Sequence, residues 1–138
     1  MVTALSHSIP DWLARLYPFE PKSHQLPSGP RLNYVDHGAG EPVLMLHGNP
    51  TWSFFYRNLI EDLANNGFRC IAPDHIGCGL SDKPQNYPYR LDRHISNVSS
   101  LADALGLDSF HLVVHDWGGA IGCGLAVQNA ERIRSLSI

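Results

Sequence analysis

Apolar positions fall into two alternating rhythms along this chain. Short, nearly continuous apolar runs recur at Pro42-Val-Leu-Met-Leu-His47, Phe68-Arg-Cys-Ile-Ala-Pro73, Phe110-His-Leu-Val-Val-His115 and Ile133-Arg-Ser-Leu-Ser-Ile138. Runs of this length read as strands covered on both faces. Between them the spacing lengthens to three and four, the mark of amphipathic helices. Phe55, Leu59 and Leu63, widened by Phe54 and Ile60 and closed by Asn66-Gly67, predict one helix from about Ser53. Ile95, Val98, Leu101 and Leu105, stopped by Gly106, predict a second, and Trp117 to about Ala130 a third. Upstream, Arg31 to His37 places Leu32, Tyr34 and Asp36 in alternation and reads as a strand ended by Gly38-Ala39-Gly40. Residues 1–30 carry Pro10, Pro18, Pro21, Pro27 and Pro30, which predict a wrapping arm with a short strand near His24–Leu26.

Strand, helix, strand, helix, strand, helix, strand is the order of an α/β fold with a mostly parallel sheet and helices on both faces. A composition of 43% hydrophobic and 17% charged residues over 138 positions supplies one core. The final strand begins at Ile133 with nothing after it to cover its edge. The expectation is therefore that residues 1–138 are the N-terminal portion of a single domain, with 1–30 as its arm and first strand.

A formal charge of −3 and a pI near 6.2 give no electrostatic reason to expect nucleic acid or an anionic membrane as partner. Cys70, Cys78 and Cys123 are odd in number and widely spaced, without a Cys-x-x-Cys pair. They read as buried reduced thiols of a cytoplasmic protein, not as a disulfide frame or zinc site. The N-terminus lacks a basic segment followed by an apolar one, so no secretory signal is expected. Asn97-Val98-Ser99 then matches a glycosylation sequon by chance.

Ligands of such sheets gather beyond the carboxyl ends of the strands. Two of these ends are unusual: His47-Gly48-Asn49-Pro50, and His115-Asp116-Trp117-Gly118-Gly119 opening a helix rich in small residues. The second is built like a nucleophile elbow, with Asp116 where one reactive residue would stand on a sharp turn. Gly118 and Gly119 would let strand and helix approach closely. Free N–H groups at the helix start lower a carboxylate's pKa, and an ionised carboxylate needs no base to attack. Attack on a saturated carbon bearing a leaving group would give an ester that water can hydrolyse. Asp is also a favoured N-cap, and taken alone that role would explain Asp116. The neighbouring His-Gly-Asn-Pro loop, with a backbone N–H and a side-chain amide facing the same space, favours the chemical reading.

With these motifs the sequence resembles the α/β-hydrolase superfamily, and within it the haloalkane dehalogenases. The carrying segments are His47–Ser53, Pro73-Asp-His-Ile-Gly-Cys-Gly-Leu-Ser-Asp-Lys-Pro84 and Val113–Gly122. The resemblance implies Asp116 as nucleophile, Asn49 and Trp117 as side-chain donors to a departing halide, and their backbone N–H groups as an oxyanion hole. It implies a small halogenated substrate and water, with no cofactor and no metal. It also implies a helical cap, a catalytic acid and a water-activating histidine, none of which has a counterpart within these residues, so the cap and C-terminal part of the fold are expected to be absent. His47 and His115 are expected to hold loops, His75 to be a surface or loop residue, and Asp74 and Asp82 to organise residues 73–84. Epoxide hydrolases share the His-Gly-x-Pro loop and the Asp-Trp elbow. Against them, Asn49 adds a halide-binding amide, and Val114 stands where those enzymes usually carry Gly. A light-emitting oxygenase of the superfamily and a truncated product without turnover are further alternatives.

Overall fold

The structure, a computed structural model, describes residues 9–138. The first eight positions of the expected arm, His7 among them, lie outside the described residues. The arm opens with a single helical turn, α1 (Asp11–Ala14), absent from the sequence reading. It continues into strand β1 (Lys22–Gln25), one to two residues before its expected place. Tyr17 and Phe19 anchor the arm: the buried Tyr17 ring lies against Trp52 and Phe54, and the Phe19 ring against Tyr17 and His37.

Beyond the arm the order is β2 (Arg31–Gly38), β3 (Glu41–Leu46), a 3₁₀ turn (Ser53–Tyr56), α2 (Arg57–Asn65), β4 (Phe68–Pro73), α3 (Leu91–Ala104), β5 (Phe110–Val114), α4 (Trp117–Gln128), a second 3₁₀ turn and β6 (Ile133–Ser137). Six strands form one sheet in the order β1-β2-β4-β3-β5-β6. The four strands from β3 to β6 run parallel, and β1 and β2 add an antiparallel edge. The central strands β3 and β4 bury four consecutive residues each, which is why they read as unbroken apolar runs.

Helices α3 and α4 cover one face through Val98, Leu101, Ile121 and Leu125; α2 covers the other through Ile60. The buried stripe of the α2 segment is Tyr56, Ile60 and the half-buried Leu63, whereas Phe55 and Leu59 face outward. Of the expected stripe, Phe54, Ile60 and Leu63 face inward, while Phe55 and Leu59 give way to Tyr56. Tyr56 takes the inner position because its hydroxyl donates to the Leu46 carbonyl at 2.9 Å, so a residue with a polar tip is satisfied in the core.

The cysteines also differ from expectation. Cys70 is buried, but Cys78 is only half-buried and Cys123 is exposed on α4. Asn97 of the sequon is buried, and its amide donates to the Tyr87 hydroxyl at 2.8 Å. Among the described residues no helix is long and apolar enough to cross a membrane.

Candidate active site

Strand β3 is central: the chain steps from it to β4 on one side and to β5 on the other. That reversal is a topological switch point, where a crevice opens beyond the strand ends. The three loops that leave those ends begin at His47, Asp74 and His115. They are distant in sequence and adjacent in space.

Asp116 stands at the turn from β5 into α4 with φ 52° and ψ −124°, the only positive φ outside glycine among the described residues. A side chain in this region is strained by roughly 1–3 kcal/mol and persists only where its surroundings impose it. Although Asp116 occupies the N-cap position, its side chain makes no capping bond to α4. Instead Oδ2 accepts the backbone N–H of Asn49 at 3.0 Å. The Asn49 N–H, and after it that of Trp117, hold the carboxyl below the ordinary carboxylate range. The group is exposed and ionised at neutral pH.

Two glycines make this geometry possible. A Cβ on Gly48 would lie 2.5 Å from Asp116 Cβ and 2.7 Å from its Oδ2. One on Gly118 would strike the carbonyl oxygens of Leu46 and His47. Gly119 does not share this role, since a Cβ there would meet only Val114, at 3.9 Å. The close approach expected of both glycines is carried by Gly118 alone, with Gly122 packed against Val114 one turn later.

Asn49, Gly48 and half-exposed Trp117 line one end of a cavity of about 450 Å³. Its other walls include His75, Tyr89, His94 and Lys83. Lys83 is already engaged, donating to the carbonyls of Gly79 and Ser81. His94 presents a buried Nδ1 that has no hydrogen-bond partner among the described residues.

The loops are held from below. Asp74 is fully buried and accepts the backbone N–H of Ser53 and of Leu80 and the amide of Asn33 at 2.8–3.0 Å. Asp82 accepts the Arg31 N–H. Both therefore organise residues 73–84 as expected. His47 is buried and bonded, also as expected, but His75 is not a surface residue. It is 4% exposed, with its ring 4.2 Å from that of His47. His115 makes no side-chain hydrogen bond among the described residues, against the expectation that it holds its loop by one; its ring stacks on Phe55 at 4.5 Å. Sequence reasoning thus missed His75 and His94. The available signal was that Asp74-His75 follows a buried strand in the same way as His47.

Burial pushes the pKa values of His47, His75 and His94 down. Groups of depressed pKa stay neutral in the fold while the unfolded chain binds protons below about 6.5. Stability is therefore full above that pH and falls as pH drops, by about 1.4 kcal/mol per pH unit for each imidazole until it protonates in the fold. Urea midpoints at pH 7.5 and 5.5 should differ accordingly. Replacing His94 with Gln should flatten the dependence, and a flat parent profile would contradict the neutral assignment.

Residues 41–137 match the family described as alpha/beta hydrolase fold. The chain belongs to that family. Among curated members, it is 51% identical over 130 residues to the cis-3-alkyl-4-alkyloxetan-2-one decarboxylase of Shewanella oneidensis, covering 91% of this chain and 40% of that protein. It is 45% identical over 122 residues to haloalkane dehalogenase 2 of Mycobacterium tuberculosis, covering 88% and 42%. Among solved α/β hydrolases, the crystal structure of DBJA superposes with a TM-score of 0.79 at 35% identity, over 86% of this chain and 39% of that one. An epoxide hydrolase from metagenomes of hot environments gives 0.79 at 40%, over 86% and 41%. The chain thus spans about two-fifths of the length of the relatives it matches.

Proposed function

We propose that this chain carries the nucleophile and the anion-receiving donors of a hydrolase that displaces halide from a saturated carbon. The observation that carries the reading is Asp116: a carboxylate on a strained turn, free of any capping bond, aimed by the Asn49 N–H. Its oxygen attacks the halogen-bearing carbon as the carbon–halogen bond breaks. The product is an alkyl ester of Asp116 plus halide. Asn49 and Trp117 flank the cavity and receive the departing charge, as fixed donors do wherever negative charge develops. Water then cleaves the ester.

The described residues supply the first step better than the second. Both ring nitrogens of His47 are engaged, His75 is buried, and the His115 ring lies against Phe55. None of these three is placed to activate water, and among the described residues the cavity-lining imidazole with an unpartnered nitrogen is His94. Incubated with 1-bromobutane, this 138-residue chain should release one equivalent of bromide and gain one butyl group on Asp116, read by intact and peptide mass. No adduct would defeat the nucleophile assignment. Sustained release beyond one equivalent would reveal a base among these residues.

The 51% identity to an oxetanone decarboxylase favours a second reading of the same site. Attack of Asp116 on the ring carbon that bears the lactone oxygen would break that C–O bond and free a carboxylate, again an anion at Asn49 and Trp117. The new ester and the carboxylate would then sit on adjacent carbons. Loss of CO2 would form the alkene and expel the Asp116 carboxylate, with no water consumed. Alkene and CO2 from a cis-dialkyl oxetan-2-one, without bromide release from bromobutane, would select this reading.

A further inference from the structure

The turn of a single peptide group is set by the proton on one histidine. The backbone N–H of His75 donates to His47 Nε2 at 2.9 Å. An N–H can only donate, so Nε2 holds a lone pair and the neutral ring carries its proton on Nδ1. That Nδ1 lies 2.7 Å from the carbonyl oxygen of Gly48. The Gly48 carbonyl and the Asn49 N–H are opposite ends of one planar group, so fixing one aims the other. The aimed N–H is the one that reaches Asp116 Oδ2 at 3.0 Å. The arrangement is braced from the far side, where His75 Nε2 donates to the His47 carbonyl at 3.0 Å.

We infer that His47 is a positioning residue for the ester-cleaving half of the reaction, acting through its Nδ1–H on the Gly48–Asn49 peptide. This rests on the alkyl-ester reading above. When water adds to the Asp116 carboxyl carbon, the ester carbonyl oxygen takes up negative charge, and the Asn49 N–H faces that oxygen. On collapse the alkoxide leaves and takes a proton from the added water, restoring the carboxylate. In the displacement step the carboxylate loses charge instead, so a donor to it gives no acceleration there. A residue that aims this donor should therefore speed ester cleavage and leave alkylation nearly untouched. Wholesale loosening of the loops would slow both.

The discriminating variants are His47→Asn and His47→Gln in the full chain. The Asn amide stands close to where Nδ1 stands, whereas Gln reaches the ε position and offers no donor at δ. With 1-bromobutane as probe, the rate of alkylation should stay within about threefold of the parent in both variants. After removal of bromobutane, decay of the butyl adduct at about pH 9.5, where hydroxide adds to the ester without a protein base, is followed by intact mass and should slow roughly tenfold or more in His47→Gln. In His47→Asn it should remain within about threefold. Equal slowing of alkylation and decay, or unchanged decay in His47→Gln, would overturn the inference. A parent that forms no adduct defeats the alkyl-ester reading by itself, and is seen before any variant is made. Imidazole proton–nitrogen correlation spectra test the geometry independently of activity: His47 should be protonated at Nδ1, and protonation at Nε2 overturns the inference.

Discussion

Asp116→Ala is expected to abolish both adduct formation and halide release while the fold persists. The side chain is exposed, and its one structural bond is to the Asn49 N–H, so its removal leaves no buried polar group stranded. Ala in place of Asp at φ 52° raises the backbone strain only modestly, since both carry a Cβ. Of the carboxylates in the loops beside it, neither Asp74 nor Asp82 can substitute. Asp74 is buried and spends its oxygens on three donors, and Asp82 is tied to Arg31. Peptide mapping after bromobutane treatment, with circular dichroism to confirm folding, checks this. Undiminished alkylation of a folded Asp116→Ala chain would remove Asp116 from the mechanism.

The second large effect should come from the leaving-group side. Asn49→Ala and Trp117→Phe each delete the side-chain N–H of a residue that lines the cavity. If these donors meet charge as it develops, each loss should slow displacement by on the order of 10²-fold. The loss should be graded, largest for chloride and smallest for iodide, because a poorer leaving group carries more localised charge in the transition state. Rates of adduct formation from a chloride, bromide and iodide series would show the gradient. A small, uniform decrease across the three would assign Asn49 and Trp117 to packing.

The elements of this fold were legible because most buried strands are short, apolar and bounded by glycine, proline or histidine. β4 falls at its expected bounds, and β3 and β5 fall within one residue of theirs. Spatial order was less legible. Nothing in the pattern of β2 says that it pairs antiparallel with β4 and leaves β3 to β5. The edge of the α2 stripe was misplaced because Tyr56 was not counted as apolar, while Phe55, a stronger hydrophobe, turns outward to stack on His115.

Within the site, the His47–Asn49 and Asp116–Trp117 segments were recognisable from their glycines and their place at strand ends. The burial of His75 was not, since it depends on β4 lying beside β3. Likewise Gly118 and Gly119 look alike in sequence, and only the backbone of Leu46 and His47 distinguishes them.

The double bond from His75 to His47 has a mechanical consequence. His75 donates twice, from its backbone N–H to the His47 ring and from its own ring to the His47 carbonyl, so the loops after β3 and β4 are latched at two points. Neither loop can swing without breaking a bond held by its neighbour, and the two must open as one cooperative unit. Pressure from a molecule in the cavity on the 74–90 loop is thereby transmitted to the peptide that faces Asp116. Loop and donor are tied through one residue, His47, whose ring touches both.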